Sequence, residues 1–220
     1  MNCVVTAGPT CEPLDEVRRI TNFSTGRLGS ELAGFLAEQG HQVILFRGLN
    51  AAFREDSKAG PVVEFTTGAD LENRLQALSG QKVDAVFHVA AVSDFRFGKV
   101  WSRSPTGELT EVKMRKISTR QENLLAELIP TPKIIRRFRG WFPEGLLVGW
   151  KFEIDGDRAG AMAKARQQLE ESQTDACVVN GPAYGNGFGF ITGKVNCLHL
   201  ADRAGLFSAL ASSLLNHVAS

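Results

Sequence analysis

Residues 3–29, CVVTAGPTCEPLDEVRRITNFSTGRLG, hold two glycine-bearing turns close together in the chain. Thr6, Ala7, Gly8, Pro9 and Thr10 lead out of an apolar run with few side chains in the way, as a close approach of backbone to an anion requires. Gly26, Gly29 and Gly34 thin a second turn and the helix it opens, whose first N–H groups lack intrahelical partners and can hold phosphate. The spacing is neither G-x-G-x-x-G nor a Walker P-loop, so a nicotinamide site and an ordinary NTPase are not the first expectation. Further on, Ala90-Ala91-Val92-Ser93-Asp94 ends another apolar run with small residues and then a carboxylate. A flat ligand can lie along such a backbone while Asp94 meets a hydroxyl or a metal; the plainer alternative is an acid capping the next turn.

The elements around these residues must bring the turns to one place. The sequence predicts a buried strand at 3–5, a helix over 26–39 closed by Gly40, and a strand at 42–46. Strand, helix and strand with short connections form a parallel unit, which puts the helix N-terminus at the carboxyl edge of the sheet, where ligands of open α/β sheets bind. A third strand at 61–65, a helix at 69–78 and a long apolar strand over 82–92 continue the pattern. From 96 to 114 the rhythm stops, and basic residues surround a Pro105-Thr106-Gly107 turn with alternating Leu109, Glu111 and Lys113. This reads as an excursion with a β-hairpin, serving as a lid or partner surface. Helices are expected from Ser118 to Leu128 and from Pro132 to Phe138, a strand at 146–152, a helix at 157–172 and a strand at 176–180. The glycine-rich tract 181–190 is either a mobile loop at the carboxyl edge or a simple connector, before a last strand at 195–200 and a helix at 202–218. The expected architecture is a single α/β domain over 1–220, a doubly wound Rossmann-like parallel sheet with helices on both faces.

With 220 residues, 43% hydrophobic and 22% charged, the chain has the length and balance of one large globular domain. A formal charge of +1 with mixed signs gives no broad basic face, which argues against nucleic acid but leaves local clusters able to hold a phosphorylated small molecule. No apolar stretch is long enough to span a membrane, and Met1-Asn2 leads directly into the first strand, so neither a membrane nor a signal peptide is expected and the location is expected to be cytoplasmic. Cys3, Cys11, Cys177 and Cys197 lack metal-ligand spacing, and no resident metal site is expected. His88 stands alone within an apolar run and is expected to be buried and hydrogen-bonded rather than catalytic.

Residues 6–29 match the pattern T-[AS]-G-[GP]-T-x-x-P-[IL]-[DE]-x-V-R-x-[IL]-x-N-x-S-[ST]-G-[KR]-x-G, and AAVSDFR (90–96), GELTEVKM (107–114), VGWKFE (148–153) and the Asn180 region extend the match. The chain thereby resembles phosphopantothenoylcysteine synthetase, the ligase of coenzyme A synthesis that joins 4'-phosphopantothenate to cysteine. The resemblance implies an acyl-nucleotide intermediate made with CTP or ATP and Mg²⁺, and a homodimer formed through the excursion. It implies that Asn22 handles the acyl-nucleotide and that Lys99 assists activation, with Lys113 or Lys116 as alternatives. Binding roles are implied for Gly8, Pro9, Thr10, Ser24, Gly26, Arg27, Asp94, Ser118, Thr119, Arg120 and Trp150. Gln168 and Ser172 stand where bacterial CTP-using members carry lysines, which leaves ATP open. Bacterial members are often fused to a flavin-dependent decarboxylase; here that activity is expected on a separate chain. The rivals are a nicotinamide-dependent reductase, disfavoured by the missing fingerprint, and a non-catalytic nucleotide or phosphopantetheine binder.

Overall fold

The computed structural model describes residues 1–54, 60–113, 115–118, 123–193 and 196–219. The chain runs through β1 (Asn2–Ala7), an antiparallel pair β2 (Cys11–Pro13) and β3 (Arg19–Thr21), α1 (Arg27–Glu38), β4 (Gln42–Gly48), β5 (Val62–Phe65), α2 (Gly68–Gln76) and β6 (Ala85–His88). There follow β7 (Phe95–Arg103), β8 (Leu109–Glu111), β9 (Asn123–Pro130), a 3-10 turn (Ile134–Arg137) and α3 (Phe138–Trp141). The chain closes with β10 (Leu146–Phe152), α4 (Arg158–Ser172), β11 (Ala176–Asn180), β12 (Phe188–Thr192), β13 (Asn196–Leu200) and α5 (Arg203–Ala219).

The main sheet has the order β13-β12-β11-β10-β6-β1-β4-β5; the β11–β12 and β12–β13 pairs are antiparallel and the other pairs are parallel. In chain order the six parallel strands lie 3-2-1-4-5-6, so the order reverses between β1 and β6, and the carboxyl edge there is where ligands of open α/β sheets bind. Alternation along the strands sorts the core. Cys3, Val5, Leu146 and Val148 pack under α1 and α5, whereas Val4 and Leu147 pack with Leu71 and Leu75 of α2 and with Phe138 on the other face. Ala161 and Ala165 of α4 meet Cys177 and Val179 on that second face. The doubly wound sheet is as expected from the sequence.

Several boundaries differ, each for a tertiary reason. The helix expected from Ser118 to Leu128 is not found over its described part: Asn123–Pro130 is a strand, because Leu124, Leu125 and Ala126 pair with Ser102, Trp101 and Val100. The excursion is therefore a three-stranded sheet, β8-β7-β9, extending beyond the expected hairpin. β6 stops at His88, where the Ala90 N–H turns to the Thr6 hydroxyl; Val89 and Ala91 still donate to the carbonyls of Thr6 and Gly8, and Pro9 and Ala91 form an isolated parallel bridge beyond the strand. The segment opened by Pro132 forms a 3-10 turn and one α-turn instead of one helix. The tract 181–190 is a connector: Phe188 begins a sheet strand, and Tyr184 is buried, its hydroxyl accepting from Arg158 Nη2 at 2.8 Å and meeting His199 Nδ1 at 3.0 Å.

His88 is buried as expected. Its Nδ1 lies 2.9 Å from Thr6 Oγ1, which also accepts the Ala90 N–H at 3.1 Å, so the ring is hydrogen-bonded within the core. Burial pushes the imidazole down to about 4. A depressed histidine stays neutral in the fold while the unfolded chain takes up a proton, so stability present above pH 6.5 is lost as pH falls toward 4. The expected loss is about 3 kcal/mol over that window. Urea titrations at pH 7 and pH 4.5 should show it in the wild type, and His88→Asn should flatten it by most of that amount.

Candidate functional site

The two glycine turns interlock at the crevice between β1 and β6. Gly8 has φ 81°, and a Cβ there would lie 2.8 Å from Ala51 Cβ. Gly26, the N-cap of α1, has φ 79°, and its Cβ would stand 3.2 Å from the Gly8 backbone. Gly29 presses against β1, where a Cβ would be 2.7 Å from Ala7 Cβ and 2.9 Å from the Thr6 carbonyl oxygen. Gly34 has open space around it, so it does not share in this close approach. Thr67 and Asp157 cap α2 and α4 with side chains, whereas Gly26 gives α1 no such cap and its Arg27 N–H alone meets a nearby hydroxyl, Thr25 Oγ1 at 3.3 Å. The first N–H groups of α1 thus face the carboxyl edge, suited to an anion.

Backbone bonds then sew three loops together. Thr10 N donates to the Ala91 carbonyl at 3.1 Å, Ala91 N to Gly8 O at 3.0 Å, and Ser93 N to Thr10 Oγ1 at 2.9 Å. Thr21 Oγ1 donates to Thr10 O at 2.8 Å, which hangs the β2–β3 ribbon over the first turn. Asn22, exposed at the end of that ribbon, donates Nδ2 to Ala91 O at 3.2 Å. One of its two amide hydrogens is so used, leaving the second for a ligand. Ser24 N bonds Asn22 O at 2.8 Å, and Arg27 Nε donates to Glu31 Oε1 at 2.5 Å.

The structure thus brings Gly8, Pro9, Thr10, Asn22, Ser24, Gly26, Arg27 and Asp94 to one edge. Trp150 lies on β10, beside β6, and its carbonyl accepts Gln168 Nε2 at 3.1 Å. Gln168 is thereby committed to the interior, and Ser172 is buried. Lys99 stands apart. It lies on β7 within the irregularity between Phe97 and Val100, where its N–H donates to Glu127 Oε2 at 3.1 Å. Lys99 Nζ lies 3.9 Å and Lys113 Nζ 3.7 Å from opposite oxygens of Glu111. Ser118 is described, whereas Thr119 and Arg120 lie outside the described residues.

The ribbon loop also grips residues 115–118. Asp15 Oδ2 accepts the Ile117 N–H at 3.1 Å, Oδ1 accepts those of Val17 and Arg18 at 2.9 and 2.7 Å, and Arg18 Nη2 donates to Ile117 O. The Ile117 amide foremost, with the other two amides and the Arg18 guanidinium, holds the Asp15 carboxyl below the usual carboxylate range despite partial burial. Spacing alone does not disclose this clamp, because its partners are about a hundred residues apart. Lys133 was likewise missed; its Nζ donates to Asp94 Oδ1. A cavity of about 580 Å³ lies at the opposite edge, between Asn2, His41, Gln42 and Lys82, where β1 and β4 begin. Ligands of such sheets bind at the carboxyl ends, so the site is assigned there. Among the described residues no helix is long and apolar enough to cross a membrane, and no His, Cys, Asp and Glu cluster is fit for a metal.

The family described as DNA/pantothenate metabolism flavoprotein C-terminal domain matches residues 1–219. A coenzyme A biosynthesis bifunctional protein CoaBC of Thermococcus kodakarensis is 33% identical over 180 residues, covering 80% of this chain and 40% of that protein. The chain thus spans less than half the length of that curated relative. The crystal structure of the DNA/pantothenate metabolism flavoprotein from Streptococcus pneumoniae superposes with a TM-score of 0.85 at 25% identity, covering 99% of each chain. A mutant Cab2 in complex with phosphopantothenate-cysteine shares the fold, with a TM-score of 0.72 at 19% identity over 99% of this chain and 87% of Cab2.

Proposed function

We propose, since the chain belongs to the DNA/pantothenate metabolism flavoprotein C-terminal domain family, that it joins 4'-phosphopantothenate to L-cysteine through an acyl-nucleotide made from CTP or ATP. The observation that carries this reading is the pair of interlocked glycine turns with the Asn22 amide fixed on Ala91 O at the strand-order reversal. A carboxylate is a poor acyl donor. Its oxygen attacks the α-phosphorus, the bond to the β-phosphate breaks, and pyrophosphate leaves. The cysteine amine then attacks the acyl carbon, and the nucleoside monophosphate departs with the oxygen that the carboxylate contributed. The uncapped start of α1 and the bare turn at Gly8 receive phosphate, and the second Asn22 N–H donates to the acyl oxygen as charge develops on it. Lys99 is the proposed mobile charge for the activation step, which requires the excursion to bend toward the crevice. Ser118, Thr119, Arg120 and Trp150 are retained as proposed nucleotide contacts. The described residues do not suit a resident Mg²⁺ site, because Asp94 is paired with Lys133; Mg²⁺ is expected to arrive on the nucleotide's own phosphates.

The test uses protein, MgCl₂, phosphopantothenate and cysteine with CTP or ATP in separate reactions, following pyrophosphate and product mass. One nucleotide should yield both pyrophosphate and the amide; neither product with either nucleotide would refute the reading. The product keeps the cysteine carboxylate, so a flavin-dependent decarboxylase is the activity expected to consume it. A cytoplasmic location fits phosphorylated substrates and four free thiols.

A homodimer through the excursion belongs to the same reading. Phe95, Leu124 and Leu128 share one face of the β7–β9 pair and stay 43%, 37% and 47% exposed. β9 is an edge strand of its sheet, and a two-fold copy would cover both the face and the edge without leaving a polymerising end. Light scattering should give a dimer at micromolar concentration, and Leu128→Asp should shift it to monomer. A wild-type monomer would end this part of the account.

A further inference from the structure

Lys133 sits at the site edge for a reason that fold stability does not supply. Its ion pair with Asp94 is solvent-rich, with the two side chains 54% and 62% exposed, and such pairs stabilise a fold little. Yet the loops carrying the two residues are fastened firmly to each other. Thr131 N donates to Asp94 O at 2.9 Å and Thr131 Oγ1 to Ser93 O at 2.6 Å. Ser93 is in turn tied to Thr10 of the first glycine turn, and behind Lys133 the chain is anchored by buried Ile134 and Ile135. The next cations point elsewhere: Arg136 pairs with Glu171, Arg137 with Glu72 and Arg139 with Asp175. Of the four cations from 133 to 139, Lys133 alone is held by an acid of the crevice.

We propose that Lys133 is a further residue that receives the nucleotide's polyphosphate, beside the glycine turns, and that Asp94 positions its ammonium instead of ligating a divalent cation. An ammonium has three donors; one engages Asp94 Oδ1 and two remain for phosphate oxygens. Asp94 Oδ2 stays available as an acceptor for a ribose hydroxyl. The inference rests on the nucleotide-dependent reading above and assigns the polyphosphate end of that same site.

Calorimetric titration of the full chain with CTP, ATP, the matching monophosphates and inorganic tripolyphosphate tests it without the acyl or amine substrates. Lys133→Met should weaken the preferred triphosphate and tripolyphosphate about ten- to a hundredfold, the loss of a charge-assisted contact. The monophosphate should move less than about twofold, and Lys133→Arg should restore most of the triphosphate affinity. Equal weakening of mono- and triphosphate would mark a merely structural role and overturn the proposal. Wild-type triphosphate affinity in Lys133→Met would overturn it while leaving the ligase reading standing. A wild-type protein that binds neither triphosphate would bring down both.

Discussion

Asn22→Asp should slow amide formation about a hundred- to a thousandfold, the usual cost of removing one oxyanion donor, while the fold survives. The side chain is exposed and holds one contact, Nδ2 to Ala91 O at 3.2 Å, so little packing is at stake. Aspartate has nearly the same shape but would face that carbonyl with an acceptor and put negative charge where the acyl oxygen becomes negative. Pyrophosphate release precedes that moment and should be affected less. Acyl-nucleotide should therefore accumulate in a rapid-quench experiment, visible by mass. Wild-type turnover in the variant would remove Asn22 from the chemistry.

Gly8→Ala should cost about 2–5 kcal/mol of stability and with it most nucleotide binding. The left-handed backbone at φ 81° penalises any Cβ by about 1–2 kcal/mol, and contact at 2.8 Å with Ala51 adds an overpacking cost of about 1–3 kcal/mol. Relief would push the first turn away from Gly26 and open the cradle. Gly34→Ala makes the contrast, since its surroundings are empty and its position is helical. Alanine there should stabilise by about 0.5–1 kcal/mol. Urea midpoints for the two variants should move in opposite directions. Equal small shifts would mean that glycine at position 8 is not needed for close approach.

Within the first fifty residues β1, α1 and β4 were legible because their signals are local, an apolar strand, a glycine turn, a helix with its stop at Gly40 and a second strand, whereas the short β2–β3 ribbon, with no run of alternating apolar residues, was not. The resemblance gave Asn22 a role with the acyl-nucleotide, whereas its place beside Ala91 comes only from the structure, through its own bond to Ala91 O and the bonds from Thr10 and Thr21. β9 was misread because Leu, Ala and Glu favour helix by intrinsic preference, and pairing with β7 overrides that preference. β12 was hidden by its glycine. Gly189 is needed there because the Tyr184 ring stands 2.7 Å from where a Cβ would be, a constraint set by packing and not by a turn. Asp15 with Ile117 and Asp94 with Lys133 were out of reach for the same reason: each is a contact between distant parts of the chain. The resemblance placed the activating lysine at Lys99, and the structure sets it well up β7, leaving its approach to the crevice dependent on the excursion.

The central claim is that a carboxylate is activated on the α-phosphorus of a nucleotide at the Gly8–Asn22–Gly26 cradle. It is tested most directly with phosphopantothenate labelled with ¹⁸O in its carboxylate, cysteine and the preferred nucleotide, followed by mass spectrometry of the phosphorus products. The account predicts one ¹⁸O in the nucleoside monophosphate and none in pyrophosphate. Label appearing in inorganic phosphate, or amide formed with no label in the monophosphate, would contradict it.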